Sequence, residues 1–194
     1  MQVTLLDYTP EPEYKIGLYA SICYDSKADK ESCIRRAAHI VNNGHLACLR
    51  FAYATFNVKG ISRACSHQLV RHKHLDYLQR SQRYCKDDDA EFVHPGTAHD
   101  TLISSAYQSS MARYNELLQL GVKKEDARYV LPAGVTTELN VSGNFQAWLD
   151  FLKLRTEKHA QAEIRQVAKE IGKQLYSIAP NIFREYGDVE SSST

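Results

Sequence analysis

The stretch Arg71-His72-Lys73-His74-Leu75-Asp76-Tyr77-Leu78-Gln79-Arg80-Ser81-Gln82-Arg83-Tyr84 holds four fixed cations against the single carboxylate of Asp76, and its two histidines can add to the excess. The whole chain has a formal net charge of only +1, so the cluster is local. Arginine suits phosphate because its planar fork makes two parallel, charge-assisted hydrogen bonds. The Ser81 hydroxyl and a backbone N–H can complete an oxyanion shell, which gives Ser81-Gln82-Arg83 the chemistry to grip a monophosphate. On charge alone a solvated basic helix face is the simpler reading. A nucleic-acid surface usually has a wider basic footprint and a basic total charge, and neither is present. Zinc is weaker still: His72 and His74, two apart on an expected helix, point to different sides, and no cysteine lies at finger spacing.

With 43% hydrophobic and 24% charged residues, the chain reads as globular; disorder, a membrane protein and a general polyanion binder do not fit. Its 194 residues suffice for one domain with a real core, expected over 1–188, followed by a disordered tail over 189–194 that contains Ser191-Ser192-Ser193. Cys23, Cys33, Cys48, Cys65 and Cys85 are odd in number and irregularly spaced, without a C-x-x-C pair. That favours reduced thiols in a cytoplasm. No apolar run approaches the roughly 18 residues of a membrane span. The acidic run Asp87-Asp88-Asp89 with Glu91 reads as a solvated turn, and no metal is expected.

Residues 1–10 read as a strand stopped by a Pro10-Glu11-Pro12 loop, and Asp29 to Asn42 as an amphipathic helix ended by Asn43-Gly44. Leu49 to Val58 alternates with two largely apolar faces, the pattern of a buried strand. Ser62 is placed to cap a helix carrying Ala64, Cys65, Gln68, Leu69 and His72. A second amphipathic helix is expected from Asp100 to Leu120, and a shorter one from Glu125 to Val130 before Pro132. A strand from Val135 to Val141, a turn at Ser142-Gly143 and a long helical region to Ile178, ended by Pro180, complete the pattern. Two or three strands are expected at the centre.

Ser62-Arg63-Ala64, His67-Gln68-Leu69-Val70-Arg71-His72-Lys73 and Ser81-Gln82-Arg83-Tyr84 together resemble the signature of the flavin-dependent thymidylate synthases, the ThyX family, down to the seven residues between Lys73 and Ser81. Ala127-Arg128-Tyr129-Val130-Leu131-Pro132, Asn144, Leu152-Lys153-Leu154-Arg155 and His159-Ala160-Gln161-Ala162-Glu163-Ile164 extend the resemblance across roughly residues 45–180. It implies an α/β (α+β) fold, a central antiparallel sheet flanked by helices. It implies a deoxypyrimidine monophosphate, dUMP, held by Gln68, Arg71, Ser81, Gln82, Arg83, Arg128 and Arg155. Arg155 would sit on the uracil edge and polarise the ring so that C6 accepts hydride without a protein nucleophile. Ser81, the other candidate catalytic group, has no histidine placed by the motif to deprotonate it, so a hydrogen bond to phosphate or substrate is expected of it. No cysteine follows a proline, as the nucleophile of the other thymidylate synthase class does.

The resemblance further implies FAD at Arg71, His72, Lys73, Gln79 and Asn144, with methylenetetrahydrofolate as one-carbon donor, NADPH as reductant, and a homotetramer with shared active sites. The flavin side is where the sequence departs from the family. Lys73 replaces an arginine, Phe51 and Arg50 stand in place of a strand histidine and glutamate, Gln146 replaces an arginine, and Asp150 stands where an amide is usual. His45 or His74 is a candidate to compensate. The alternatives are a fold variant that hydroxymethylates dUMP or dCMP with weakened or absent flavin use, and a noncatalytic nucleotide- or RNA-binding module.

Overall fold

The computed structural model describes residues 1–26 and 28–187; the expected tail over 189–194 lies outside them. Four strands, β1 (Gln2–Tyr8), β2 (Tyr53–Ser62), β3 (Leu75–Gln79) and β4 (Thr136–Asn144), form one antiparallel sheet in the order β1-β2-β4-β3. The helices are α1 (Pro12–Ser21), α2 (Lys30–Asn42), α3 (Arg63–Leu69), α4 (Asp100–Gln119), α5 (Lys124–Ala127), α6 (Phe145–Arg155) and α7 (Ala162–Ile178). This is the antiparallel sheet with flanking helices that the sequence implied.

One face of the sheet is dry. Ala54, Phe56 and Val58 of β2 and Leu139 and Val141 of β4 are buried, and they meet Trp148, Phe151 and Leu152 of α6 and Ile164, Val167, Ala168 and Ile171 of α7. Period-2 burial on the strands and 3.6-period burial on the helices generate this core. Phe56 meets Trp148 edge-on at 5.1 Å, and the indole N–H donates to the Ala54 carbonyl at 3.0 Å. The other face is polar. Thr55 bonds Ser142 at 2.8 Å, and Asn57 donates to Asn140 at 2.9 Å and Glu138 at 3.0 Å. The buried strand expected over Leu49–Val58 is therefore half right: Leu46–Phe51 is a 3-10 turn, the strand runs Tyr53–Ser62, and only one of its faces is fully covered.

Other boundaries shift for identifiable reasons. Pro12 opens a helix, α1, because proline at the first helical position forfeits no bonded N–H. Ser142 and Gly143 make no turn. They continue β4 opposite Asp76 and Leu75, and a Cβ on Gly143 would fall 2.2 Å from Leu75 Cδ2, so glycine permits the close strand contact. Asn144 then caps α6 directly, its Oδ1 accepting from the Ala147 N–H at 2.9 Å. The long helical region to Ile178 is two helices broken over 156–161, which leaves Arg155 at the end of α6.

Candidate active site

Ser62 caps α3 as expected, accepting from the Cys65 N–H at 3.0 Å. Its hydroxyl and N–H also donate to Glu163 at 2.6 and 2.7 Å, which fastens α3 to the first turn of α7. The helix stops at Leu69 and does not reach His72 as the sequence suggested. Its last carbonyls have side-chain donors: the Tyr77 hydroxyl lies 2.8 Å from Leu69 O, and 3.0 Å from His72 O on the following turn, and Arg155 Nη2 donates to Gln68 O at 3.1 Å. These bonds satisfy acceptors that any helix leaves open at its C-terminus. The Arg155 cation also sits at the negative end of the helix dipole.

Arg155 has a second partner. Its Nε donates to His72 Nε2 at 2.9 Å, so that nitrogen carries no proton and the ring hydrogen is on Nδ1. Burial, and then the Arg155 charge, push the His72 pKa down to about 4. The ring stands edge-on to Phe151 with centroids 5.0 Å apart. Gln68 donates from Nε2 to Gln161 Oε1 beside this group. Gln68, His72 and Arg155 thus form one constellation at the C-terminal end of α3, and Arg155 uses neither Asp150 nor His159.

A second constellation lies at the other end of α3. The Ser81 Oγ accepts from the Arg83 N–H at 3.2 Å, and Ser81 O accepts from the Cys85 N–H at 2.9 Å, winding 81–85 into a tight turn. Glu125 gathers the arginines, its carboxylate 2.6 Å from Arg83 Nε and its carbonyl accepting from Arg128 Nε at 3.0 Å. Arg63 Nη2 donates to Arg80 O at 2.8 Å, while its buried Nε has no partner. Burial holds the Arg63 pKa below its ordinary value, with Asp87 opposing and Arg128 and Arg80 adding to the depression. The region can hold an anion, with cations gathered and a hydroxyl beside them.

Asp87 organises this turn, which corrects the reading of the whole acidic run as a solvated turn. Asp88 and Asp89 are exposed, but Asp87 is 2% exposed. Its Oδ1 accepts from Arg80 Nη2 at 3.2 Å, its Oδ2 from Gln82 Nε2 at 2.8 Å, and its N–H donates to the buried Tyr114 hydroxyl at 3.2 Å. Nothing in a run of three aspartates says which one turns inward. The signal was Tyr114, a polar aromatic on the apolar stripe of α4.

The remaining positions are spread out. Arg71 and Lys73 are exposed on the turn after α3, with no hydrogen bond or ion pair among the described residues. Gln79 faces inward from β3, donating to Ser66 Oγ at 2.9 Å and Thr137 Oγ1 at 3.3 Å. Asn144 borders a cleft of 240 Å³ shared with Arg50, His74, Gln146, Ala147 and Asp150. His45 lies elsewhere, beside Cys23 and Cys48.

A family model described as thymidylate synthase complementing protein matches residues 4–181. The chain belongs to this family. Among relatives of the thymidylate synthase complementing protein family, it is 38% identical over 202 aligned positions to the flavin-dependent thymidylate synthase of Geobacter sulfurreducens, covering 96% of this chain and 87% of that protein. It is 37% identical over 191 positions to the protein of the same name from Mycobacteroides abscessus, with 84% and 75% covered. The corresponding Mycolicibacterium gilvum protein is 38% identical over 168 positions, with 76% and 67% covered. Both constellations and the 240 Å³ cleft fall inside the span that matches the thymidylate synthase complementing protein family.

Proposed function

We propose that the chain is a flavin-dependent thymidylate synthase: an enzyme that transfers a one-carbon unit from methylenetetrahydrofolate to C5 of dUMP and reduces it to methyl, with NADPH as the source of electrons. The observation that carries this reading is the match to the thymidylate synthase complementing protein family over 4–181, joined by relatives at 37–38% identity that bear the enzyme's name. Those names favour methyl transfer over the hydroxymethyl variant and over a noncatalytic module.

The substrate phosphate is assigned to Ser81, Gln82, Arg83 and Arg128, where Glu125 and Asp87 pre-set the donors. Gln68 and Arg155 are assigned to the nucleoside, with Arg71 on the exposed turn between substrate and cofactor. Arg155 is fixed by Gln68 O and His72. It would present its remaining N–H donors to the uracil edge, favouring negative charge on the ring as C6 accepts hydride. Neutral His72 keeps that donor aimed, because a protonated ring would repel the guanidinium. Ser81 contributes a hydrogen bond; its Oγ accepts from a backbone N–H and has no histidine partner.

FAD, when bound, supplies the hydride chemistry. His72, Lys73, Gln79 and Asn144 are the residues assigned to it. The structure offers a fit for one end of such a group: the 240 Å³ polar cleft beside Asn144, with the unpaired cations Arg71 and Lys73 on the neighbouring turn. The two constellations lie at opposite ends of α3, a helix about 10 Å long at 1.5 Å rise per residue. That arrangement suits a homotetramer in which each site is completed by another subunit. No helix among the described residues is long and apolar enough to cross a membrane, and five free cysteines fit the cytoplasm we assign.

The absorbance spectrum of the purified protein, before and after addition of FAD, tests the reading. A flavin band that bleaches on adding NADPH is expected. A protein that binds dUMP but retains no flavin band once unbound FAD is removed by gel filtration would overturn it.

A further inference from the structure

We propose that Arg50 is the cation that binds the imide edge of the flavin ring in this chain, acting from the cleft it shares with His74, Gln146 and Asp150; the proposal rests on the flavin-dependent reading above. Arg50 is the next-to-last residue of the 3-10 turn before β2 and reaches across to the first turn of α6, where its Nε donates to Gln146 Oε1 at 2.8 Å. That bond tethers the guanidinium to the first turn of α6. It leaves both Nη groups without a partner among the described residues.

Asp150 lies one helical turn beyond Gln146, on the same side of α6. It borders the same cleft and pairs with no cation among the described residues, Arg50 included. Two opposite charges that border one cavity without meeting leave a donor set and an acceptor set facing a common space. His74 adds a ring nitrogen from the turn before β3.

A ring with two carbonyls flanking an N–H complements this arrangement, the carbonyls taking hydrogen bonds from Arg50 and the N–H donating to Asp150. The pyrimidine portion of an isoalloxazine has that edge. At 240 Å³ the cleft falls below the roughly 300–1,000 Å³ of sites that enclose a whole drug-sized ligand. It takes a ring, and the rest of a dinucleotide must lie outside. Of the residues that line the cleft, Arg50 alone carries a planar cationic fork.

Flavin binding to the full-length protein, followed by quenching of flavin fluorescence, tests this alongside calorimetric titration with dUMP. Arg50→Gln is expected to weaken FAD binding about tenfold or more, the usual effect of removing a charge-assisted bond, with dUMP affinity within about twofold of wild type. Arg50→Gln combined with Gln146→Arg returns the cation across the same hydrogen bond and is expected to regain most of the affinity. Wild-type FAD affinity in Arg50→Gln overturns this proposal alone. Loss that the double variant does not recover marks Arg50 as a structural prop and overturns it too. A wild-type protein that binds dUMP and no FAD overturns both this proposal and the functional reading beneath it.

Discussion

Arg155 makes two bonds that define the site end of α3, to Gln68 O and to His72 Nε2. If its free donors serve the substrate ring, Arg155→Ala should lower kcat about 100-fold or more, the scale of losing a preorganised donor, while nucleotide affinity falls less than about tenfold. Equal losses in kcat and affinity, by steady-state kinetics and calorimetry, would contradict a ring-polarising role. His72 gives a pH signature. Its folded pKa of about 4 lies below the free value of 6.5, so between those values the unfolded chain binds the proton that the folded chain refuses. The stability from neutral His72 is therefore full above about pH 6.5 and is lost as pH falls toward about 4. Thermal melts across this window should fall more steeply for wild type than for His72→Gln; parallel profiles would contradict the assignment. Asp87→Asn places an amide against Arg80 and Gln82. The nucleotide KM should rise about tenfold with kcat nearly constant, and denaturant melts should show a loss of about 2 kcal/mol, typical of a buried acceptor removed from charged donors.

Between elements, α1 and α2 cross closely at Gly17. A Cβ on Gly17 would fall 1.9 Å from the Cys33 carbonyl oxygen. The obstacle is backbone, so no side-chain rotation relieves it. Gly17→Ala should cost about 3 kcal/mol in chemical denaturation, at the upper end of overpacking effects, and a neutral result would contradict so close a crossing. α1 is also the element the sequence hid best. Pro10-Glu11-Pro12 looks like a loop, and the buried stripe Ile16, Gly17, Ala20 is too small-sided to stand out. β3 was hidden differently. Leu75, Tyr77 and Gln79 alternate inward with Asp76 and Leu78 outward, but five residues inside a basic run draw attention to charge before periodicity. Capping was easier to read. A serine before an apolar helical run has one common use, so the Ser62 cap is legible in the sequence. Its link to Glu163, 101 residues away, is a tertiary fact that local chemistry does not contain. The arginines proposed to grip phosphate are legible by type and spacing; Glu125, which holds Arg83 and Arg128, and Asp87, which holds Arg80 and Gln82, look like ordinary surface acids until the chain folds.

At the scale of the molecule, α4 is mostly uncovered. Of its 20 residues only Tyr114 is buried, and Leu102 is 74% exposed. An amphipathic helix so placed suits coverage by another copy of the chain. Light scattering of the purified protein should give the mass of a tetramer, and a monomer at micromolar concentration would contradict the shared-site assembly. Purified protein supplied with dUMP, methylenetetrahydrofolate, FAD and NADPH, with the nucleotides separated and their masses determined, should yield thymidylate in amounts that match the NADPH oxidised. A hydroxymethylated nucleotide formed without NADPH consumption would contradict it.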